Sequence, residues 1–145
     1  MAKDAILYVG GDMDDKFLVS TALADIGCES EVVNFDNGYE LIEYLQKTEE
    51  RPFFILCDLN IPQISGLELR EKINAEEHLK KRSIPFIFLS DSINPKDVDD
   101  AYLSLVQGFY LKPPTYEALK DQLTFICGYW KRAILPGRYN WESDN

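Results

Sequence analysis

Strand-like runs and helix-like stretches alternate along the whole chain. The runs fall at residues 5–9, 31–35, 53–58, 85–89 and 108–111, and four of them are apolar almost throughout. Short runs without polar alternation suit strands buried on both faces, as in a parallel sheet covered by helices. Between them, apolar positions recur at helical spacing. Leu18, Ala22 and Ile26 are flanked by Val19 and Leu23; Leu41, Ile42 and Leu45 follow; then Val98, Ala101, Tyr102 and Leu105; and last Leu119, Leu123, Ile126 and Trp130. A third helix opens at Ser65-Gly66-Leu67-Glu68 and runs to about Ile73.

Punctuation agrees with this division. Asp12, Asn37, Ser65, Asn94 and Thr115 stand where N-caps are needed, Pro95 suits a first helical position, and Gly27 suits a C-terminal stop. The charged run 76–82 reads as a solvated helix end and loop. Five strand–helix units imply right-handed crossovers and an α/β fold, a doubly wound parallel sheet with helices on both faces. At 145 residues this is one domain, spanning 1–133, with an aromatic tail at 134–145 expected to pack on the domain or on a partner.

Charge and cysteines narrow the function classes. With 15 Lys and Arg against 25 Asp and Glu, the formal charge of −10 opposes attraction to phosphate backbones, so no nucleic-acid partner is expected. No apolar stretch has the length of a membrane span and the first residues lack a secretory pattern, so the protein is expected to be cytoplasmic, with no membrane partner. Cys28, Cys57 and Cys127 are widely spaced and read as reduced thiols, and His78, among Glu and Lys residues, reads as a solvated surface histidine.

Candidate chemistry lies at the strand ends. In an open α/β sheet ligands collect at the carboxyl edge, where strands one, three, four and five end at Gly10, Asp58, Ser90 and Lys112. A carboxylate, a hydroxyl and an ammonium converging there could bind an anionic group, with Asp58 as nucleophile or metal ligand. The same residues also fit a structural ion pair between Asp58 and Lys112.

From about Ala5 to Ile126 the sequence resembles a response-regulator receiver domain of two-component signalling. The residues that carry the resemblance are Cys57-Asp58-Leu59-Asn60-Ile61-Pro62 with Gly66, Phe88-Leu89-Ser90, and Gly108-Phe109-Tyr110-Leu111-Lys112-Pro113. Asn37-Gly38 also matches, and the stretch from Tyr129-Trp130 to Leu135-Pro136 resembles stand-alone receivers that partner phytochrome-type histidine kinases. The resemblance implies a flavodoxin-like (βα)5 fold with strand order 2-1-3-4-5. It makes Asp58 the phosphoacceptor position, Ser90 and Lys112 the phosphoryl-binding residues, Phe109 the switch aromatic, and Lys112-Pro113 a peptide that is typically cis.

Two departures bear on chemistry. Receivers usually carry an acidic pair after the first strand that helps hold Mg²⁺, and this chain has Gly10 and Gly11 there. A small hard cation needs several oxygen ligands, and Asp58 and the Asn60 carbonyl are what remain, with Asp12 or Asp14 as substitutes if they could turn inward. Mg²⁺ is therefore expected to bind weakly, with no other cofactor. Asp91, beside Ser90, adds a charge that opposes an incoming anion.

The resulting expectation is a non-enzymatic single-domain receiver that docks to a histidine kinase or another signalling protein, with phosphorylation at Asp58 impaired. The resemblance makes the surface of the fourth helix, fifth strand and fifth helix the docking interface, with a homodimer through it as one possible use. Retained phosphorylation at Asp58 is the alternative, and a flavodoxin-like enzyme or nucleotide-binding protein is the alternative from another class.

Overall fold

The computed structural model describes residues 4–136. Its strands are β1 (Ile6–Val9), β2 (Val32–Phe35), β3 (Phe54–Asp58), β4 (Phe86–Ser90) and β5 (Gly108–Leu111). The helices are α1 (Met13–Asp25), α2 (Gly38–Lys47), α3 (Gly66–Ala75), α4 (Glu77–Lys81), α5 (Pro95–Leu103) and α6 (Tyr116–Arg132). All strand pairs are parallel, in the order β2-β1-β3-β4-β5, which is the expected doubly wound sheet.

The sheet divides the core into two layers because successive side chains leave a strand on opposite faces. Ile6, Tyr8, Phe54, Leu56, Ile87 and Leu89 pack with Val19, Leu23, Leu123 and Ile126 of α1 and α6. Leu7, Val9, Ile55, Cys57, Phe86 and Phe88 pack with α2, α3, α4 and α5 through Leu41, Leu69, Leu79 and Ala101. Every residue of β1, β3 and β4 is buried, which is why these runs carry no alternation in the sequence.

Helix starts follow the sequence closely. The side chains of Asp12, Asn37, Ser65, Asn94 and Thr115 each accept a hydrogen bond from a backbone N–H in the first turn of their helix. That satisfies donors the helix itself leaves open.

Three expectations are corrected. The run 76–82 is not simply solvated: residues 77–81 form a short helix whose Leu79 is buried in the core. Arg82 then donates from Nη1 to the Leu45 and Thr48 carbonyls, fastening that helix to the end of α2. The fourth predicted helix buries Ala101 but leaves Tyr102 exposed, and it stops at Leu103, so Leu105 lies beyond it with φ 66°. Arg70, buried on α3, donates to the Ser104 and Leu105 carbonyls at 3.2 and 2.8 Å and so ties this turn to α3. Finally, the Lys112–Pro113 peptide is trans, as no cis peptide occurs among the described residues. Of the predicted tail, Leu135 is buried, while Tyr139 and Trp141 lie outside the described residues.

Among the described residues no helix is long and apolar enough to cross a membrane.

Candidate functional site

Asp58 is the last residue of the central strand β3, between β1 and β4, and is almost completely buried. Burial of a carboxylate demands partners. Two donors supply them: the Tyr8 hydroxyl donates to Oδ1 at 2.8 Å, and Lys112 Nζ lies 3.2 Å from Oδ2. Lys112 arrives directly after β5, where its backbone N–H donates to the Ser90 carbonyl at 2.8 Å.

Tyr8 was not singled out in the sequence. It reads there as one more residue of an apolar strand, yet it is fully buried and sends its hydroxyl up the α1/α6 side of the sheet to Asp58. Gly10 gives it room. A Cβ at position 10 would stand 2.9 Å from Tyr8 Cζ and 3.0 Å from both the Tyr8 hydroxyl and Asp58 Oδ2, closer than side chains tolerate without a shift. A Cβ at Gly11 would stand 2.8 Å from Pro62 Cδ. The two glycines are thus fitted to the phenol and to the loop after β3, and an acidic pair would not fit unless both moved.

The lysine has more than one carboxylate. Asp15, on the first turn of α1, reaches Lys112 Nζ at 2.8 Å, and the exposed Asp91 approaches it at 3.7 Å. Although its place in a first helical turn accounts for it locally, Asp15 brings a second carboxylate into the cluster. Asp58 and Lys112 are therefore not an isolated neutral pair. With both close carboxylates ionised, Asp58, Asp15 and Lys112 sum to one negative charge.

These contacts set the titration of the cluster. Burial drives the Asp58 carboxyl up from its ordinary value to about 6, against the opposing pull of Lys112 and the Tyr8 hydrogen bond. Burial also raises the Tyr8 phenol far above its usual range, reinforced by the Asp58 charge, so it remains a donor. For Lys112, burial alone would lower the ammonium, but the Asp15 and Asp58 carboxylates outweigh it and hold the group above its ordinary value.

Other predicted site residues are placed less centrally. Ser90 is buried at the end of β4, but its hydroxyl donates to the Ser92 carbonyl at 2.7 Å, tying down the loop after the strand. Phe109 is half-buried on β5, its ring 6.0 Å from that of Phe88. Asn60 is exposed in the turn after β3. Asp12 caps α1, accepting from the Asp14 N–H at 2.8 Å, and both Asp12 and Asp14 are exposed. The set present does not fit a divalent cation well. Both Asp58 oxygens have donors, positions 10 and 11 offer no side-chain oxygen, and no cluster of three or more metal-binding side chains occurs among the described residues.

Comparison with known proteins gives the family. Residues 7–124 match the model of the response regulator receiver domain, and the chain belongs to that family. It is 28% identical to the response regulator Rcp1 of Synechocystis over 89% of this chain and 90% of that one. It is also 28% identical to a chemotaxis protein CheY homolog of Campylobacter jejuni, over 85% of this chain and 92% of the relative. Among solved structures it resembles the phosphorylated cyanobacterial phytochrome response regulator RcpA, with 32% identity, a TM-score of 0.83, and 94% and 100% of the two chains covered. The Mn²⁺-bound form of Rcp1 superposes with a TM-score of 0.80 at 28% identity, covering 92% of this chain and 99% of that one. The protein is a receiver domain of two-component signalling, as the resemblance in its sequence implied.

Proposed function

We propose that this receiver signals by docking to protein partners, and that phosphoryl transfer to Asp58 is impaired. The observation that carries the reading is the double engagement of Asp58, by the Tyr8 hydroxyl on one oxygen and Lys112 on the other. An attacking carboxylate must release one of these donors. Phosphoryl transfer also depends on a cation to spread charge over the transferring oxygens. Here the Tyr8 ring and two glycines stand where the acidic pair is expected, and Asp15 is committed to Lys112. Mg²⁺ affinity should accordingly be weak.

Docking uses the surface of α5, β5 and α6. Tyr102, Leu103 and Leu111 are 51%, 79% and 44% exposed there, a large apolar content for a solvated face. The partner is a histidine kinase or another signalling protein, or a second copy of the chain. We take the domain to be non-enzymatic and to act in the cytoplasm, without nucleic acid, given its charge of −10.

A second reading keeps phosphorylation. Asp58 and Lys112 remain paired, and one relative's structure is of a phosphorylated form. The two readings separate on incubation with acetyl phosphate and Mg²⁺ followed by intact mass measurement. The docking reading expects an unmodified chain. A stoichiometric adduct that disappears in Asp58→Ala would overturn it in favour of phosphotransfer.

A further inference from the structure

Two of the three cysteines line the same cleft, Cys28 just after α1 and Cys127 on α6. Helix α1 ends in a tight reversal: Gly27, at φ 79°, donates its N–H to the Ala24 carbonyl, and the Cys28 N–H donates to the Leu23 carbonyl, both at 3.0 Å. This double bond pattern fixes the chain after the helix and turns Cys28 back toward α6. Cys127 projects from α6 into the same place. Both side chains are partly exposed, and both pack against the layer built by Leu123 and Ile126. They line one open cleft of about 870 Å³, shared with Ser30, Thr124, Gly128 and Lys131. The space beside Gly128 is open, since a Cβ there would meet nothing within 4 Å. Cys57, by contrast, is fully buried in β3.

We propose that Cys28 and Cys127 form a redox-reactive dithiol, which hydrogen peroxide oxidises to an intramolecular disulfide tying α6 to the segment that leads into β2.

The surroundings divide the labour between the two sulfurs. The neighbouring Cys127 thiol, helped by Ser30 and the Lys131 charge, outweighs burial and brings Cys28 down to about 6. Cys127 is pushed the other way by the same contact and by burial, and keeps its proton. The two thiols titrate as a pair, the first proton leaving more readily than from an ordinary thiol and the second less readily. The Cys28 thiolate attacks a peroxide oxygen, forming an S–O bond as the O–O bond breaks and hydroxide leaves. Cys127 sulfur then attacks the Cys28 sulfenic sulfur. An S–S bond forms, the S–O bond breaks, and the departing hydroxide takes up the Cys127 proton as water. The first hydroxide takes up the proton that Cys28 had released to solvent, so two thiols lose two electrons in total and one peroxide becomes two waters.

The test treats the full chain with equimolar hydrogen peroxide, blocks remaining thiols after unfolding, and reads intact mass and peptide map. The expected product has lost two hydrogens, carries a Cys28–Cys127 cross-link and one alkylated residue, Cys57. Cys28→Ser and Cys127→Ser should each abolish that product. Irreversible oxidation of Cys28 with no cross-link, or cross-links only between chains, would overturn the proposal. The wild-type map decides the matter even if a variant folds poorly. As an independent readout, alkylation of Cys28 should reach half its maximal rate near pH 6 in the wild type and only at a higher pH in Cys127→Ala. An unchanged pH profile in that variant would also overturn it.

Discussion

Tyr8→Phe removes one hydroxyl from the Asp58 cluster and leaves the ring in place. The lost hydrogen bond is short, at 2.8 Å, buried, and made to a carboxylate. A hydrogen bond to a charged group contributes about 1.5–3 kcal/mol and a neutral one about 0.5–1.5 kcal/mol, so the charged form loses roughly 1–1.5 kcal/mol more. At about 1.4 kcal/mol per unit, that difference raises the Asp58 pKa by about one unit. It starts from about 6, already above its ordinary value. A carboxyl with a raised folded pKa favours folding below its unfolded pKa, and that contribution is lost as pH rises through the folded value. Tyr8→Phe should therefore cost about 2 kcal/mol near pH 8 and about 1 kcal/mol near pH 5. In thermal melts this is a fall of roughly 4–8 °C at the higher pH and roughly 2–4 °C at the lower. Carboxyl NMR titration should place the Asp58 midpoint about one unit above the wild type. An equal loss at both pH values would refute the reasoning, because it would show that the hydroxyl does not distinguish the two charge states of Asp58.

Asp58→Asn removes the buried charge and should stabilise the fold near pH 8 by about 1–3 kcal/mol, discounted for the partner lost by Lys112, with the gain vanishing near pH 4. Urea melts at the two pH values check this, and a destabilised variant at the higher pH would contradict it. Leu79→Ala should cost about 2–5 kcal/mol by urea unfolding, since Leu79 is 3% exposed. A loss comparable to that of a surface substitution would return the charged run 76–82 to solvent.

Much of the fold was legible because the strand runs lack alternation and each helix announces its cap. Asp58 and Lys112 were legible for a related reason: a charged residue that closes an apolar run lies at a strand's carboxyl end, and parallel strands bring such ends together. Tyr8 was hidden inside its run. Its ring is an ordinary core residue, and only the register of β1 beside β3 shows that its hydroxyl reaches the neighbouring strand's last residue. Asp15 was masked by a local explanation, as a carboxylate in a first helical turn needs no distant partner to account for it. Leu79 was lost in a charged run too short for periodicity to register. The meeting of Cys28 and Cys127 depends on how α1 and α6 pack, which no local pattern encodes. Ser90 ends β4 as its place after an apolar run implies, but the orientation of its hydroxyl toward the Ser92 carbonyl depends on the turn that follows.

The central claim is that Tyr8 and the two glycines have replaced a cation site around Asp58. Mg²⁺ titration followed by NMR tests it most directly, comparing the wild type with the triple variant Tyr8→Val, Gly10→Asp, Gly11→Asp, in which removal of the phenol relieves the clash at position 10 and the exposed loop carrying Pro62 must yield at position 11. The expected result is no saturable perturbation around Asp58 in the wild type and a saturable one in the triple variant. Tight, saturable Mg²⁺ binding by the wild type would contradict the claim.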